Sequence, residues 1–87
     1  MDKNLSLKEL IQSLASTVND AIENYEELDD LIFEINSKTF ESRVCEPEQI
    51  DEENSDQYSL MELLRFDSEG NVFPDYDTLS QIAGEYL

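Results

Sequence analysis

Seven carboxylates crowd residues 20–34: Asp20, Glu23, Glu26, Glu27, Asp29, Asp30 and Glu34. No basic residue lies between Glu9 and Lys38. Paired carboxylates can serve general acid–base catalysis or hold hard cations. In a chain with 22 Asp and Glu, however, chance alone makes many pairs, so pairing singles out no catalytic dyad. The missing counter-charges are more informative. A solvated helix face ordinarily mixes signs, because opposite charges at i and i+4 stabilise it. Here Glu23/Glu27, Glu26/Asp30 and Asp30/Glu34 set like charges at that spacing. The chemistry this implies is electrostatic recognition of something basic. A net charge of −17 on 87 residues opposes compaction by self-repulsion and points the same way.

Other chemistry is scarce. The chain has no His, so it holds no Ser–His or Cys–His nucleophile pair and no imidazole base. A single cysteine, Cys45, allows neither an intrachain disulfide nor an ordinary zinc site. With Glu46 next to it and Arg43 the nearest base, nothing obvious activates the thiol, and a reduced, cytoplasmic setting is expected. Two glycines cannot build a phosphate-binding loop. Asp67, Glu69 and Asn71 superficially resemble a calcium loop, but the glycine is misplaced and position twelve is Thr78. The expectation is a protein that is not an enzyme and carries no cofactor or metal. The polar start, Met1-Asp2-Lys3-Asn4-Leu5, does not read as a signal peptide, so none is expected, and no apolar run is long enough to span a bilayer. The sign of the charge disfavours direct binding of nucleic acid or anionic lipid.

The elements that must position the acidic row belong to one small domain, residues 1–87. Ser6-Leu7-Lys8-Glu9 fits a helix-capping box. Apolar residues then recur at Leu7, Ile11, Leu14, Val18, Ala21, Tyr25, Leu28, Ile32 and Ile35, alternating steps of four and three. Leu10, Ala15, Ile22 and Leu31 widen the stripe. This period predicts an amphipathic helix over about 6–36, either continuous and ~46 Å long or broken near residues 16–20. The sustained heptad seam also permits a homodimer. On such a helix Asp20, Glu23, Glu27, Asp30 and Glu34 would occupy the side opposite the seam, with Glu26 and Asp29 bordering them, at about one charge per 3 Å. One strand of duplex DNA carries a phosphate per ~3.4 Å.

Residues 46–56 read as an acidic loop. Glu46, Glu48, Asp51, Glu52, Glu53 and Asp56 form a secondary acidic patch in it. Asp67-Ser68-Glu69-Gly70-Asn71 reads as a type I turn with Gly70 left-handed, closing an antiparallel hairpin over about 60–74. Tyr58, Leu60, Leu64 and Phe66 would share one face of it, with Phe40 and Val44 offering a third short strand. Ser59 fits a capping role before Glu62. Asp75 or Asp77 caps a last helix over about 75–86, with Leu79, Ile82, Ala83, Tyr86 and Leu87 as its apolar face. The expected fold class is α+β, mainly α, with an all-α small bundle as the alternative.

Three functional readings follow. In size and charge the chain resembles the small phage-encoded DNA mimics that block restriction, CRISPR or repair enzymes, a resemblance of character carried by no motif. It implies an inhibitor that occupies the nucleic-acid-binding surface of a nuclease, restriction or CRISPR effector inside a host cell. The acidic row would meet Lys and Arg, and aromatics such as Tyr25, Tyr58 or Phe73 would anchor the centre. In length, acidity and helical content the chain also resembles colicin-type immunity proteins, which implies neutralisation of a nuclease toxin. Finally, Gln57-Tyr58-Ser59-Leu60-Met61-Glu62-Leu63 and the tail from Phe73 to Leu87 faintly resemble acyl carrier proteins. That implies a phosphopantetheine arm on Ser59, although Tyr58 stands where the motif has Asp.

Overall fold

The computed structural model describes residues 6–50 and 55–87. Helix α1 (Leu7–Asn24) opens on the capping box, with the Ser6 hydroxyl accepting from the Glu9 amide and the Glu9 carboxylate accepting from the Ser6 amide. It buries Leu10, Leu14, Ala15, Val18 and Ala21. No Gly or Pro stops it. The chain leaves at Tyr25, which is extended (φ −118°, ψ 139°), and the Asn24 side-chain amide donates back to the Asp20 carbonyl.

The expected helix over 6–36 is therefore corrected to a helix, a loop over residues 25–30 and a strand. Strand β1 (Ile32–Asn36) is central in a three-stranded antiparallel sheet of order β2-β1-β3, flanked by β2 (Ser42–Cys45) and β3 (Ser55–Ser59). Ile-Phe-Glu-Ile has β-branched and aromatic side chains that fit a pleated, half-buried surface better than a helix. Phe33 and Ile35 face the core on one side of β1, and Ile32 and Glu34 take the other. The heptad seam is thus divided: Val18 and Ala21 fill the core from the helix, and Ile35 fills it from a strand. The continuous helical surface that would permit a homodimer through the seam does not form.

Strand β2 contains Val44 but not Phe40. Phe40 instead ends the β1–β2 turn at φ +65°, a left-handed conformation rare for a bulky residue. Asn36 holds this turn, its side-chain oxygen accepting from the Lys38 and Thr39 amides. The acidic loop predicted over 46–56 is shorter: Pro47–Gln49 form a 3-10 turn, Ser55 and Asp56 belong to β3, and Asp51, Glu52 and Glu53 lie outside the described residues.

The second hairpin pairs β4 (Leu64–Phe66) with β5 (Val72–Pro74). Its turn is as expected. Asp67 Oδ1 accepts from the Glu69 and Asn71 amides, and Gly70 sits at φ +88°. Residues Leu60–Leu63, expected in the hairpin, form a 3-10 turn that buries Leu60 and Leu63. Ser59 precedes that turn without capping it through its side chain. Asp75 caps α2 (Tyr76–Tyr86), which buries Leu79, Ile82 and Ala83 and leaves Leu87 exposed. The fold class is α+β, with α1 and α2 packed together against the sheet and the small hairpin.

Candidate functional site

Six of the seven predicted site residues reach one exposed region. Asp20 and Glu23 project from the end of α1, while Glu26, Glu27, Asp29 and Asp30 occupy the loop that follows. The last turn of α1 holds no basic residue. Its free carbonyls already place about half a negative charge there, so Glu23 adds to a field that opposes it. Among the described residues, the ion pairs join Arg43 to Glu34 and Arg65 to Asp75 and Asp77. None of these reaches the six exposed acids.

Glu34 is the exception and is withdrawn from the acidic face. It is 3% exposed on β1, directly opposite Arg43 on β2. Arg43 Nε donates to Glu34 Oε1 at 2.6 Å, and the Cys45 thiol lies 3.9 Å from the same oxygen. Arg43 also donates to the Gln49 carbonyl at 2.6 Å, which ties the 3-10 turn to the sheet. The buried carboxylate is structural. Burial pushes the Cys45 thiol above its ordinary value, Arg43 opposes that shift, and Glu34 adds to it. Together these effects favour the protonated thiol.

The residue 25–30 loop forms an acidic ridge with a groove on each side. One groove, about 560 Å³, lies between the ridge and the 3-10 turn after β2. Glu27 and Asp30 line one wall, Glu46 and Glu48 the other, with Tyr25, Leu31 and Pro47 between them. Here the two predicted acidic patches meet, although some twenty residues separate them in sequence. Tyr25 is 40% exposed there, an aromatic surface framed by carboxylates.

The other groove, about 440 Å³, separates the ridge from the β4–β5 hairpin. Leu28, Met61, Phe66 and Val72 line it together with Glu26, Glu27 and Asp29. Among the described residues, no group of acids, Cys or His is arranged to hold a metal ion. No helix among them is long and apolar enough to cross a membrane.

No protein-family model, curated protein or solved structure matches the chain.

The remaining predicted residues disperse. Asp56 is on β3, where it accepts a hydrogen bond from the Tyr86 hydroxyl. Burial and the bonded Asp56 carboxylate raise the Tyr86 phenol well above its usual range. Tyr58 is half-buried against the core, and burial raises its phenol as well, so it is not a surface anchor. Phe73 is exposed on the outer side of the hairpin, opposite Arg65. Sequence reasoning missed Phe66, which is 52% exposed beside the ridge. The sequence placed it only on an apolar hairpin face, and its position next to the Asp67–Gly70 turn, at the end of that face, was the one signal of its exposure.

Proposed function

We propose that the protein is a non-enzymatic acidic inhibitor that binds the basic nucleic-acid-binding surface of a DNA- or RNA-handling protein. The observation carrying this reading is the convergence of acids from residues 20–30 and 46–48 around Tyr25, with none of the described ion pairs reaching the ridge. A field built only for solubility has no need to concentrate charge at a helix C-terminus, where the backbone dipole makes it unfavourable. The mimicry is of a clustered kind. The linear pitch expected of one long helix is replaced by a compact ridge, which matches a pocket or short groove rather than a long duplex track. Lys and Arg of the partner would pair with Glu27, Asp30, Glu46 and Glu48, and an Arg side chain would also stack on Tyr25. Desolvation at the centre of such an interface strengthens those contacts relative to the exposed rim.

The test is affinity capture from nuclease-treated lysate at low salt, followed by a salt step and mass spectrometry. Recovery of one dominant nucleic-acid-binding protein, displaced by added DNA or RNA, supports the reading. The same protein should be absent from the eluate of a Glu23→Lys/Glu27→Lys/Asp30→Lys variant. Undiminished capture by that variant, or indifference to nucleic-acid competitor, refutes the assigned surface.

A further inference from the structure

The groove between the ridge and the hairpin has a composition that phosphate mimicry alone does not require. In β4, Leu64 and Phe66 share one side of the strand, and Leu64 is buried while Phe66 is 52% exposed. Its cross-strand partner is Val72, half-buried on the same face. Leu28 and Met61 are also half-buried and line the same groove. The apolar core therefore surfaces here as a strip, with Glu26, Glu27 and Asp29 along one wall.

Three classes of occupant can be compared by charge. Nucleic acid and anionic lipid are repelled by the wall. A second copy of this chain would bring its own surplus of seventeen negative charges against the same wall, so like-charge repulsion opposes self-association through it. A basic protein segment with an apolar side chain is favoured by wall and floor alike.

We propose that this groove receives an amphipathic basic segment of the partner, one presenting a Leu, Ile or Met with Lys or Arg beside it. The apolar side chain covers Phe66, Met61 and Val72 while the cations pair with Glu26 and Asp29. This deepens the inhibitor reading and rests on it. The acidic ridge supplies steering and charge pairing, and the groove supplies an apolar anchor that a nucleic acid competitor lacks. Interfaces of this anatomy concentrate their energy at such anchors.

Three synthetic peptides of equal length test it with the full chain. The first alternates Lys/Arg with Leu at helical spacing, the second replaces each Leu by Ser, and the third keeps Leu but replaces each Lys/Arg by Gln. Affinity is read by fluorescence anisotropy and the site by amide chemical shifts. The first peptide should bind at least about tenfold more tightly than either of the others. It should shift Leu28, Met61, Phe66 and Val72. Phe66→Ser, at a half-exposed position, and Met61→Gln should each remove its advantage over the second peptide while leaving the second peptide's affinity unchanged. Equal binding of the first and second peptides overturns the groove assignment and leaves the acidic reading standing. Equal binding of the first and third overturns both, because charge then contributes nothing.

Discussion

Reversing the ridge should make the protein more stable while removing the surface proposed to meet a basic partner. In the variant Glu23→Lys/Glu27→Lys/Asp30→Lys the net charge falls from −17 to −11, since each exchange removes two negative charges. Glu23 lies in the last turn of α1, where no base offsets the exposed carbonyls. A carboxylate there is unfavourable by about 0.3–1 kcal/mol and an ammonium favourable by a similar amount, so this exchange alone contributes about 0.6–2 kcal/mol. Glu27 and Asp30 share a groove wall facing Glu46 and Glu48. Turning repulsion into attraction at these exposed sites adds a few tenths of a kcal/mol each. A total of about 1–2.5 kcal/mol corresponds to a rise in Tm of roughly 4–20 °C for a domain of this size. Thermal unfolding followed by circular dichroism in low salt measures it directly. Repeating the melt at about 1 M salt, where the Debye length falls to ~3 Å, should remove most of the gain. A variant that melts below the parent in low salt, or a gain indifferent to salt, refutes the argument that function rather than stability set these charges.

Arg43→Ala removes the cation paired with the buried Glu34 carboxylate and should lower stability by about 2–3 kcal/mol in urea unfolding. That is below the usual loss for a buried pair, because the Arg43 side chain is 55% exposed. Glu34→Leu combined with Arg43→Leu should recover most of the loss. Asp67 is held below its ordinary value of 3.8, first by the Asn71 backbone amide and then by its side-chain amide. Its folded-state value lies below its unfolded one, so its stabilisation is complete above that ordinary value and is lost as pH falls through the depressed one. Asp67→Ala should therefore weaken the protein near neutral pH, and the gap to the parent should close in urea titrations under strongly acidic conditions. Cys45 should react with an aromatic disulfide reagent at least about a hundredfold more slowly in native buffer than in urea, since attack requires local opening. A native rate matching the unfolded one would contradict its burial.

Elements bounded by local chemistry were legible in the sequence. The Ser6/Glu9 box and the Asp67–Gly70 turn declare themselves within four residues and stand where they were read, and of the two candidate caps for α2, Asp75 and Asp77, it is Asp75 that bonds Thr78. Strand β1 did not, because Leu28, Ile32 and Ile35 continue the helical three-four spacing by coincidence. Only the β-branched and aromatic character of Ile32, Phe33 and Ile35 spoke for a strand. The end of α1 lacked its usual glycine, and the β1–β2 turn uses Phe40 where Gly or Asn ordinarily takes a left-handed backbone. With both punctuation marks missing, helix and hairpin merged in the reading. The same error placed Glu34 among exposed acids, for its partner Arg43 is adjacent only across paired strands. The other six acids were legible as a group because exposure followed from charge itself. Their meeting with Glu46 and Glu48 was not, since it depends on how the sheet folds back.

Phe40 carries one more consequence. Its ring lies 5.6 Å from that of Tyr86, and the Tyr86 hydroxyl bonds Asp56 on β3. One residue of α2 thus touches both the turn of the first hairpin and the outer strand of the sheet. If α2 lifts away, Phe40 loses the packing that holds its unfavourable backbone, and β3 loses a tether in the same event. Amide hydrogens of β1 and of α2 should then exchange with solvent through a common opening, at rates that Tyr86→Phe and Phe40→Gly shift together. The helix acts as a latch on the sheet, so the firmness of the groove wall after β2 depends on a contact at the far end of the hairpin.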